Sequence, residues 1–513
     1  MLAAVRSAAL SGIQAVRVTV EVDASRGLPF WVVVGLAAHA IKESRERVGA
    51  ALANSGYDLP ARRFTVSLAP GDMRKDGTAF DLPIALAMLA ATAFIPNDAL
   101  HGIVAVGELG LDGSIRPVRG MLPMAMHAGV DGPIRAVIGP TANAPEAALV
   151  PGLTYWGVQT LQEAVAALCG APPPSPSAPM ARTLVPGVDV DLSDVAGQDV
   201  AKRALELAAA GGHALLLVGT PGSGKTMLAR RLPTILPRLT DQEALEVLTI
   251  QSVAGTLLPG TPHEVPRPFR APHHTLSTAA LVGGGSTPRP GEVTLAHHGV
   301  LFLDELQEMP RSRLDVLRQP MEEGRVLIAR AQHAVTFPAA FALIGAMNPC
   351  PCGYAGDASG RCRCPAADVA RHRGRVSGPL ADRIDLTVSV PPLALHTLHA
   401  RQGASSAEVR ARVEAARSRQ VRRFAGQRVA GQCNARATGR WIDAHTPVDR
   451  AARETLTRLA ERAGLSARGY HRILAVARTV ADLEDDDVVR ASHVGVAFHF
   501  RTNDTLPSST GGP

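Results

Sequence analysis

The spacing of hydrophobic and polar positions divides the chain into three stretches. In the first, up to residue 169, short β-rich runs alternate with helical patterns, which predicts an α/β or α+β domain. In the second, continuous apolar runs at 213–218, 300–303 and 341–346 are typical of parallel strands that are buried on both faces. Beyond residue 393 the apolar residues recur at helical spacing, which predicts a mostly helical region.

The elements of the first stretch follow from the same patterns. We predict strands at 15–22, 30–34, 63–68, 103–106 and 136–138, and helices at 40–55, 83–93 and 120–128. The longest apolar run of the chain, 84–95, is too short to span a bilayer. We therefore interpret it as a buried helix and expect no membrane association.

Domain boundaries are indicated by proline and serine. Residues 170–190 are rich in both, which disfavours helices and central strands, so we predict a linker there. A second boundary follows the Val-Pro-Pro sequence that begins at Val390. The predicted organisation is a domain at 1–169, the linker, a core at 191–390, a helical domain at 393–505 and a tail at 506–513.

Composition and charge change this picture little. The 513 residues are too many for one ordinary core, and the net charge of +7 permits a polyanionic partner without requiring one. The amino-terminal residues lack a secretory pattern. Four of the six cysteines fall within 350–364, which is not the arrangement of a disulfide framework, so we expect a reducing, cytoplasmic environment.

The strongest chemical signal follows the first continuous apolar run. The sequence GTPGSGKT leads from that predicted strand into a helical stretch, which is the context that a phosphate-binding P-loop requires. Its glycines let successive N–H groups face phosphates, Lys225 can reach the β- and γ-phosphates, and the Thr226 hydroxyl can hold Mg²⁺. A glycine-rich turn with an incidental lysine is the alternative. The predicted nucleotide-binding residues are Gly219, Thr220, Pro221, Gly222, Ser223, Gly224, Lys225 and Thr226.

Polar residues also follow the other two apolar runs. Asp304 and Glu305 come directly after the second run, where Asp304 is expected to support Mg²⁺ and Glu305 to act as general base on the attacking water. Asn348 follows the third run, and its amide can orient water against the γ-phosphate or, alternatively, cap a turn before Pro349. The order of the elements favours the first role.

Arg383 lies between two carboxylates in the sequence LADRID. An arginine in such a position usually forms a structural ion pair. The alternative is an arginine finger that reaches the γ-phosphate bound by a neighbouring subunit. That role requires a ring, so a homo-oligomer is part of the hypothesis.

Four further motifs carry a resemblance to a known family. They are RPFRAPHH at 267–274, GEVTLAHH at 291–298, LFLDE at 301–305 and NPCPCG at 348–353. Together with the P-loop they make the chain similar, over nearly its whole length, to the ComM (YifB) family of magnesium-chelatase-like AAA+ ATPases. The resemblance implies a multi-domain α/β fold with a P-loop AAA+ core and a C-terminal helical lid, and ATP and Mg²⁺ as cofactors.

The resemblance also assigns roles and partners. It implies that Arg383 is the arginine finger, that Arg468 is the second sensor, with Arg472 as the alternative, and that a hairpin at 325–337 faces a pore. It further implies a hexameric ring that acts on branched or single-stranded DNA, as a branch-migration helicase in recombination and natural transformation. Two rival functions stay open, namely a motor subunit of a metal chelatase and a protein-remodelling ATPase.

The first domain resembles the proteolytic domain of Lon protease, which has the ribosomal S5 domain 2-like fold. The motifs are RKDGTAFDLPIA at 74–85 and GELGLDG at 107–113. Thr78 is the only remaining candidate nucleophile, and the sequence offers it no plausible base, so we predict a scaffold without protease activity that assists ring assembly or DNA binding. The expected positions of the Lon serine and lysine are occupied by Ala79 and Phe80, and by Gly120, Met121 and Leu122.

Three residue clusters remain. Four thiolates at the spacing of Cys350, Cys352, Cys362 and Cys364 suit tetrahedral zinc, with a metal-free loop as the alternative. The paired histidines are interpreted as hydrogen-bonded packing elements; they are His273, His274, His297 and His298. An arginine-rich segment either neutralises DNA phosphates or forms a solvated helical face. Its members are Arg410, Arg412, Arg417, Arg419, Arg422, Arg423, Arg428, Arg436 and Arg440.

Overall fold

In the computed structural model the chain folds into two compact units. The first unit comprises Met1–Val185, Leu245–Val265 and Ser286–Arg289, and the second comprises Pro186–Ala244, Pro266–Gly285 and Pro290–Pro513. The described residues within them are 1–28, 30–35, 39–71, 75, 77–130, 132–174, 190–257, 265–285, 288–330, 333–357, 360–376, 378–393, 403–426 and 433–501. Most of the predicted linker and the whole predicted tail therefore lie outside the described residues.

The first unit is built on a seven-stranded mixed sheet with the strand order β3-β4-β2-β1-β5-β8-β9. Strands β1 and β2 are antiparallel, whereas β5, β8 and β9 are parallel to one another. The strands of this unit are β1 Leu2–Ser11, β2 Gln14–Ser25, β3 Phe30–Val34, β4 Arg63–Ala69, β5 Ile103–Ala105, β6 Glu108–Leu109, β7 Ile115–Arg116, β8 Ala136–Pro140 and β9 Tyr155–Val158. Its helices are α1 His39–Asn54, α2 Asp81–Ala91, α3 Met121–Val130, α4 Ala144–Ala147 and α5 Leu161–Leu168.

Helix α2 confirms the predicted buried helix. Every residue from Asp81 to Ala91 is buried, which explains why its sequence is apolar on all sides. Asp81 is the polar exception, and it forms an ion pair of 2.8 Å with Arg47 of α1. Burial raises the pKa of Asp81, although the hydrogen bonds from Arg47 oppose that shift.

The second unit contains a five-stranded parallel sheet with the order β11-β14-β17-β10-β18. The three strands predicted from the continuous apolar runs are confirmed as β10, β14 and β17. They lie side by side, and every residue of β10 and β14 is buried. The remaining strands are β10 Leu215–Gly219, β11 Phe269–Arg270, β12 Gly283–Gly284, β13 Arg289–Pro290, β14 Val300–Leu303, β15 Arg325–Arg330, β16 His333–Pro338, β17 Ala342–Met347 and β18 Leu386–Val390.

Helices cover this sheet and follow it in sequence. The later helices of the described chain are α6 Asp199–Gly211, α7 Lys225–Ala229, α8 Leu232–Ile235, α9 Asp241–Ala254, α10 Thr278–Val282, α11 Glu292–Leu295, α12 Arg311–Asp315, α13 Arg318–Glu323, α14 Ala366–Arg373, α15 Gly378–Ala381, α16 Ser406–Arg423, α17 Gly439–His445, α18 Arg450–Arg462, α19 Ala467–Leu483 and α20 Ala491–Arg501. The sequence places all of α9 in the middle core, but from Leu245 onward it groups with the first unit.

The carboxyl-terminal helices and the sheet share one hydrophobic core. Leu215 and Leu217 of β10 belong to the same buried cluster as Val413 of α16 and Ile473 and Val476 of α19. Burying such side chains contributes about 1.5–3 kcal/mol each, so these helices are integral to the second unit. Among the described helices, none has the length and apolar character needed to cross a membrane.

Candidate functional site

The P-loop connects the end of β10 to the start of α7. Gly222 and Gly224 have φ angles of 77° and 93°, in the left-handed region that only glycine enters readily. These two residues turn the backbone sharply enough for Lys225 and Thr226 to open the helix directly after the loop. At Gly219 a Cβ atom would lie 2.3 Å from the Val390 carbonyl oxygen, so the neighbouring strand also requires a glycine there.

The Lys225 ammonium group is held at the carboxyl ends of two strands. Its Nζ donates hydrogen bonds to the carbonyl oxygens of Gly219 at 2.7 Å and Thr220 at 3.0 Å, and to Oδ1 of Asn348 at 3.2 Å. Burial lowers the pKa of Lys225, while the charges of Asp304 and Glu305 oppose the shift. The group is therefore a partly desolvated cation close to two carboxylates, which suits it to a polyanionic ligand.

Oxygen atoms suited to Mg²⁺ lie next to this cation. The Thr226 hydroxyl donates to Oδ2 of Asp304 at 2.9 Å, and Oδ1 of Asp304 accepts a hydrogen bond from the Glu305 backbone N–H at 2.9 Å. Hydroxyl and carboxylate oxygens are the ligands that Mg²⁺ prefers. Because β10, β17 and β14 are parallel neighbours, their carboxyl ends bring the P-loop, Asn348 and Asp304 to one edge of the sheet.

Glu305 is presented differently from Asp304. Its φ angle is 50°, which turns the backbone sharply after β14, and its side chain is 52% exposed. Nδ1 of His274 lies 3.1 Å from Oε2 of Glu305, and the His273 ring lies against that of His274 at a tilt of 32°, with centroids 4.1 Å apart. The interpretation of His274 as a packing element therefore missed its contact with the proposed base. The only sequence signal for that contact was the RPFRAPHH motif.

Asn348 occupies the predicted position directly after β17. Its side chain accepts from Lys225, and its carbonyl oxygen accepts a hydrogen bond from Nε2 of His372 at 3.1 Å. Asn348 is therefore bound to the P-loop through its side chain and to α14 through its backbone. Its sensing role stays a prediction.

Arg383 is buried, and its side chain is only 5% exposed. Its Nη2 donates to Oε1 of Glu322 at 2.6 Å, and Arg468, half exposed, pairs with the same oxygen. Burial lowers the pKa of Arg383, and Glu322 opposes that shift. Within one chain, the structural ion pair considered for Arg383 is thus present. A role across a subunit boundary requires this pair to open.

Arg472, the alternative to Arg468 as second sensor, is engaged in contacts within the protein. It donates to the Arg383 carbonyl oxygen at 2.9 Å and pairs with Asp385, which is fully buried. Burial alone would raise the pKa of Asp385, but Arg472 and the hydrogen bond from His213 hold it well below its usual range. Arg472 is therefore needed to neutralise a carboxylate beneath β18.

The four clustered cysteines come together directly after Asn348. Their sulfur atoms all lie within 4.8 Å of one another, and all four are free thiols. The Sγ atom of Cys350 is 3.3 Å from that of Cys352 and 3.7 Å from that of Cys362. The structure thus brings the four residues together, and zinc binding stays a prediction.

Comparison with known proteins agrees with this geometry. Three family models match the chain, "Magnesium chelatase, subunit ChlI" at 191–398, "Subunit ChlI of Mg-chelatase" at 20–143 and "Magnesium chelatase, subunit ChlI C-terminal" at 403–501. Protein YifB of Salmonella typhimurium is 43% identical over 513 residues, with 98% of each chain covered. Competence protein ComM of Haemophilus influenzae is 42% identical over 511 residues, covering 98% of this chain and 97% of its own.

The chain belongs to the ComM/YifB family. A more distant relative, the magnesium-chelatase 67 kDa subunit of Chlorobaculum tepidum, is 30% identical over 164 residues, which are 31% of this chain and 23% of its own. The family and the mixed α/β core are those of magnesium-chelatase-like AAA+ ATPases. The P-loop geometry fits ATP, and the pair of Thr226 and Asp304 fits Mg²⁺.

The arginine-rich segment of this ComM/YifB family member is not the free basic face that we considered. Arg417 donates to the Ala209 carbonyl oxygen at 3.0 Å, and Arg410 to that of Thr234 at 2.9 Å. Arg412 pairs with the buried Glu206 at 2.6 Å. Contacts inside the protein also engage Arg419, Arg423 and Arg436. Helix α16 packs against α6, so several of its guanidinium groups bind helix-end carbonyls or buried carboxylates, while Arg419 pairs with the exposed Asp485 and Asp487. Arg422 and Arg440 are exposed, and Arg428 lies outside the described residues.

Thr78 in the first unit has a partner that the sequence did not indicate. Its hydroxyl donates to the carboxylate of Glu108, which also lies 3.7 Å from Arg116. This contact does not make Thr78 a nucleophile, and the lack of a plausible catalytic base for it stays a prediction. The fully buried Lys75 donates to the Pro70 carbonyl oxygen.

Proposed function

We propose that the chain is a cytoplasmic ATP-hydrolysing subunit of a hexameric ring that drives branch migration of DNA. The observation that carries the proposal is the group of Lys225, Thr226 and Asp304 at the carboxyl edge of the parallel sheet, with Glu305 exposed beside them. A cation, two oxygen atoms suited to Mg²⁺ and an exposed carboxylate are what phosphoryl transfer to water requires.

Each residue of this edge has a distinct task in the proposal. Bound Mg²⁺–ATP supplies the phosphoryl group that is transferred. Lys225 neutralises phosphate oxygens, Thr226 and Asp304 hold the metal, and Glu305 accepts the proton of the attacking water. His274 holds the Glu305 carboxylate in position, and the Asn348 amide orients the water from the neighbouring strand end.

The ring is proposed because the family resemblance assigns catalytic roles to arginines that lie outside the P-loop. One of them would act on the nucleotide bound by an adjoining subunit. Arg383 is the proposed finger for the adjoining subunit, and Arg468, which shares Glu322 with it, is the proposed second sensor. In this scheme Glu322 holds both guanidinium groups until the subunits close on a nucleotide. Helices α16–α20 form the proposed lid.

DNA is the proposed substrate because of the family. The relative at 42% identity is a competence protein, and the resemblance to the ComM (YifB) family implies branched or single-stranded DNA in recombination and natural transformation. The net charge of +7 is compatible with a polyanion. The first unit is proposed to be a Lon-like scaffold that assists ring assembly or DNA binding, without protease activity.

A direct test measures ATP hydrolysis and junction unwinding with a four-way DNA junction, with linear duplex of the same length as control. We expect the junction to accelerate hydrolysis by wild type. Lys225→Ala and Glu305→Gln should lose turnover while retaining DNA binding. If hydrolysis is instead accelerated by unfolded protein, or only by tetrapyrrole-binding partner subunits, the protein is a remodelling ATPase or a chelatase motor.

The role of Arg383 across subunits has its own test. We expect Lys225→Ala and Arg383→Ala chains to be inactive alone, whereas a mixed ring would contain interfaces that pair an intact P-loop with an intact Arg383. We expect mixing to restore part of the hydrolysis. If mixing restores nothing while rings of normal size form, Arg383 is only the partner of Glu322.

A further inference from the structure

The cysteine cluster has the dimensions of a site for one metal ion. Four sulfur atoms around a single tetrahedral ion with Zn–S bonds of about 2.3 Å lie about 3.8 Å apart. The separations of 3.3 Å and 3.7 Å from Cys350, and the limit of 4.8 Å for all pairs, match that arrangement. In an iron–sulfur cluster the four cysteines are divided over two or four iron atoms, so their sulfur atoms cannot all lie this close to one another. The 3.3 Å contact is also much longer than a disulfide bond.

The surroundings of the cluster support a metal rather than a set of packed thiols. The backbone N–H of Ala355 donates to the Sγ atom of Cys350 at 3.2 Å, as second-shell donors do to metal-bound thiolates. Gly353 and Gly356 have φ angles of 85° and 78°, so the chain turns tightly between the two cysteine pairs. Only Cys350 is completely buried, which leaves an entry path for an ion on the side of the other three.

The cluster also adjoins the candidate nucleotide site. A Cβ atom at Gly353 would lie 2.7 Å from Cδ of Pro221, so the backbone of the cluster rests directly on the P-loop. Cys350 follows Asn348 by two residues. Two side chains of α14 bind the backbone between β17 and the cluster: His372 donates to the Asn348 carbonyl oxygen and Arg373 to that of Pro349.

We infer that Cys350, Cys352, Cys362 and Cys364 bind one structural Zn²⁺, and that the resulting zinc knuckle fixes Pro221 and Asn348 in the nucleotide site. The second part rests on the proposed ATPase function. The ion closes a loop that has few apolar side chains of its own. In doing so it gives the P-loop a rigid support at Pro221.

The metal is tested on the full-length protein with zinc alone, independently of ATP or DNA. We expect about one zinc per chain by elemental analysis, and for the cobalt-substituted protein the intense visible and near-ultraviolet bands of tetrahedral thiolate ligation. The double variant Cys362→Ser/Cys364→Ser should lose the metal, whereas Cys169→Ser, at an exposed cysteine outside the cluster, should keep it. A metal-free wild type with four reactive thiols, or a double variant that retains zinc, overturns the site.

The coupling to the P-loop is tested with a matched pair of glycines. Both Gly353→Ala and Gly356→Ala place a side chain at a positive φ angle, but only the first meets Pro221, since nothing lies within 4 Å of a Cβ atom at Gly356. We expect both variants to keep their zinc and only Gly353→Ala to bind ATP about tenfold more weakly. Equal ATP affinity in both variants overturns the coupling. Zinc content is unaffected by whether the protein acts on DNA, so failure of the proposed function would be seen separately.

Discussion

The strand-end edge of the parallel sheet and helix α16 both carry many charges, but they use them in opposite ways. At the edge, Lys225, Asp304 and Glu305 are few, lie close together and include a carboxylate that is half exposed. Along α16 the arginines are numerous, yet those with described contacts are engaged inside the chain: Arg417 by a carbonyl oxygen, Arg412 by the buried Glu206, and Arg419 by two exposed aspartates. Density of charge therefore does not identify a binding surface. A binding surface is identified by charged groups that are still accessible to a ligand.

Substitutions at the strand-end edge should change the rate of ATP hydrolysis and leave the stability of the protein unchanged. Replacing Glu305 with Gln removes the proposed general base, and we expect hydrolysis to fall about 10²- to 10⁴-fold with ATP binding retained. The matched control is Glu308→Gln, because Glu308 is also half exposed but pairs with Arg375. Steady-state hydrolysis and nucleotide binding of the two variants check this. Equal turnover in both would remove Glu305 from the mechanism.

Substitutions of the paired arginines in helix α16 should change the stability of the protein and leave ATP hydrolysis unchanged. Arg423 pairs with Asp482, which is completely buried, so Arg423→Ala should lower the free energy of unfolding by about 1–3 kcal/mol. Arg422 is exposed, and Arg422→Ala should change stability by less than about 0.5 kcal/mol. Denaturant unfolding measures both. If Arg423→Ala leaves stability unchanged but weakens salt-dependent DNA binding, α16 is a DNA surface after all.

The smallest expected effect concerns the histidine beside the base. His274→Ala removes a contact that positions Glu305, and we expect hydrolysis to fall about three- to fivefold, since an exposed ion pair of this kind contributes up to about 1 kcal/mol. His273→Ala removes a neighbouring ring and a contact with the Thr275 hydroxyl, neither of which touches Glu305, and should change turnover less. A positioning role also predicts that His274→Ala alters the pH dependence of turnover, whereas loss of packing alone would leave that profile unchanged.

The sheet strands and the P-loop could be predicted from the sequence because their signals are local. A continuous apolar run followed by glycines and Lys225 requires no knowledge of distant residues. The parallel order of β10, β17 and β14 then brings Asn348 and Asp304 to the same edge. Strand β1 was not predicted, because Arg6, Ser7 and Ser11 interrupt its apolar pattern, although it pairs along its whole length with β2.

The contacts that the sequence did not reveal are all between residues far apart in the chain. His274 and Glu305, Thr78 and Glu108, and Arg383 and Glu322 are brought together only by the fold. Arginine spacing along α16 fits both a solvated face and a packed one, and only the position of α6 decides between them. Helix periodicity indicates that a face exists but not what it contacts.

Equilibrium binding of Mg²⁺–ATP is the measurement that tests the nucleotide site most directly. Wild type should bind, Lys225→Ala should bind about 10- to 100-fold more weakly because the charge-assisted contacts to phosphate are lost, and Lys202→Ala in α6 should bind like wild type. Failure of the wild type to bind ATP, or equal affinity of the Lys225 and Lys202 variants, would contradict the assignment of this strand-end edge as a phosphate-binding site.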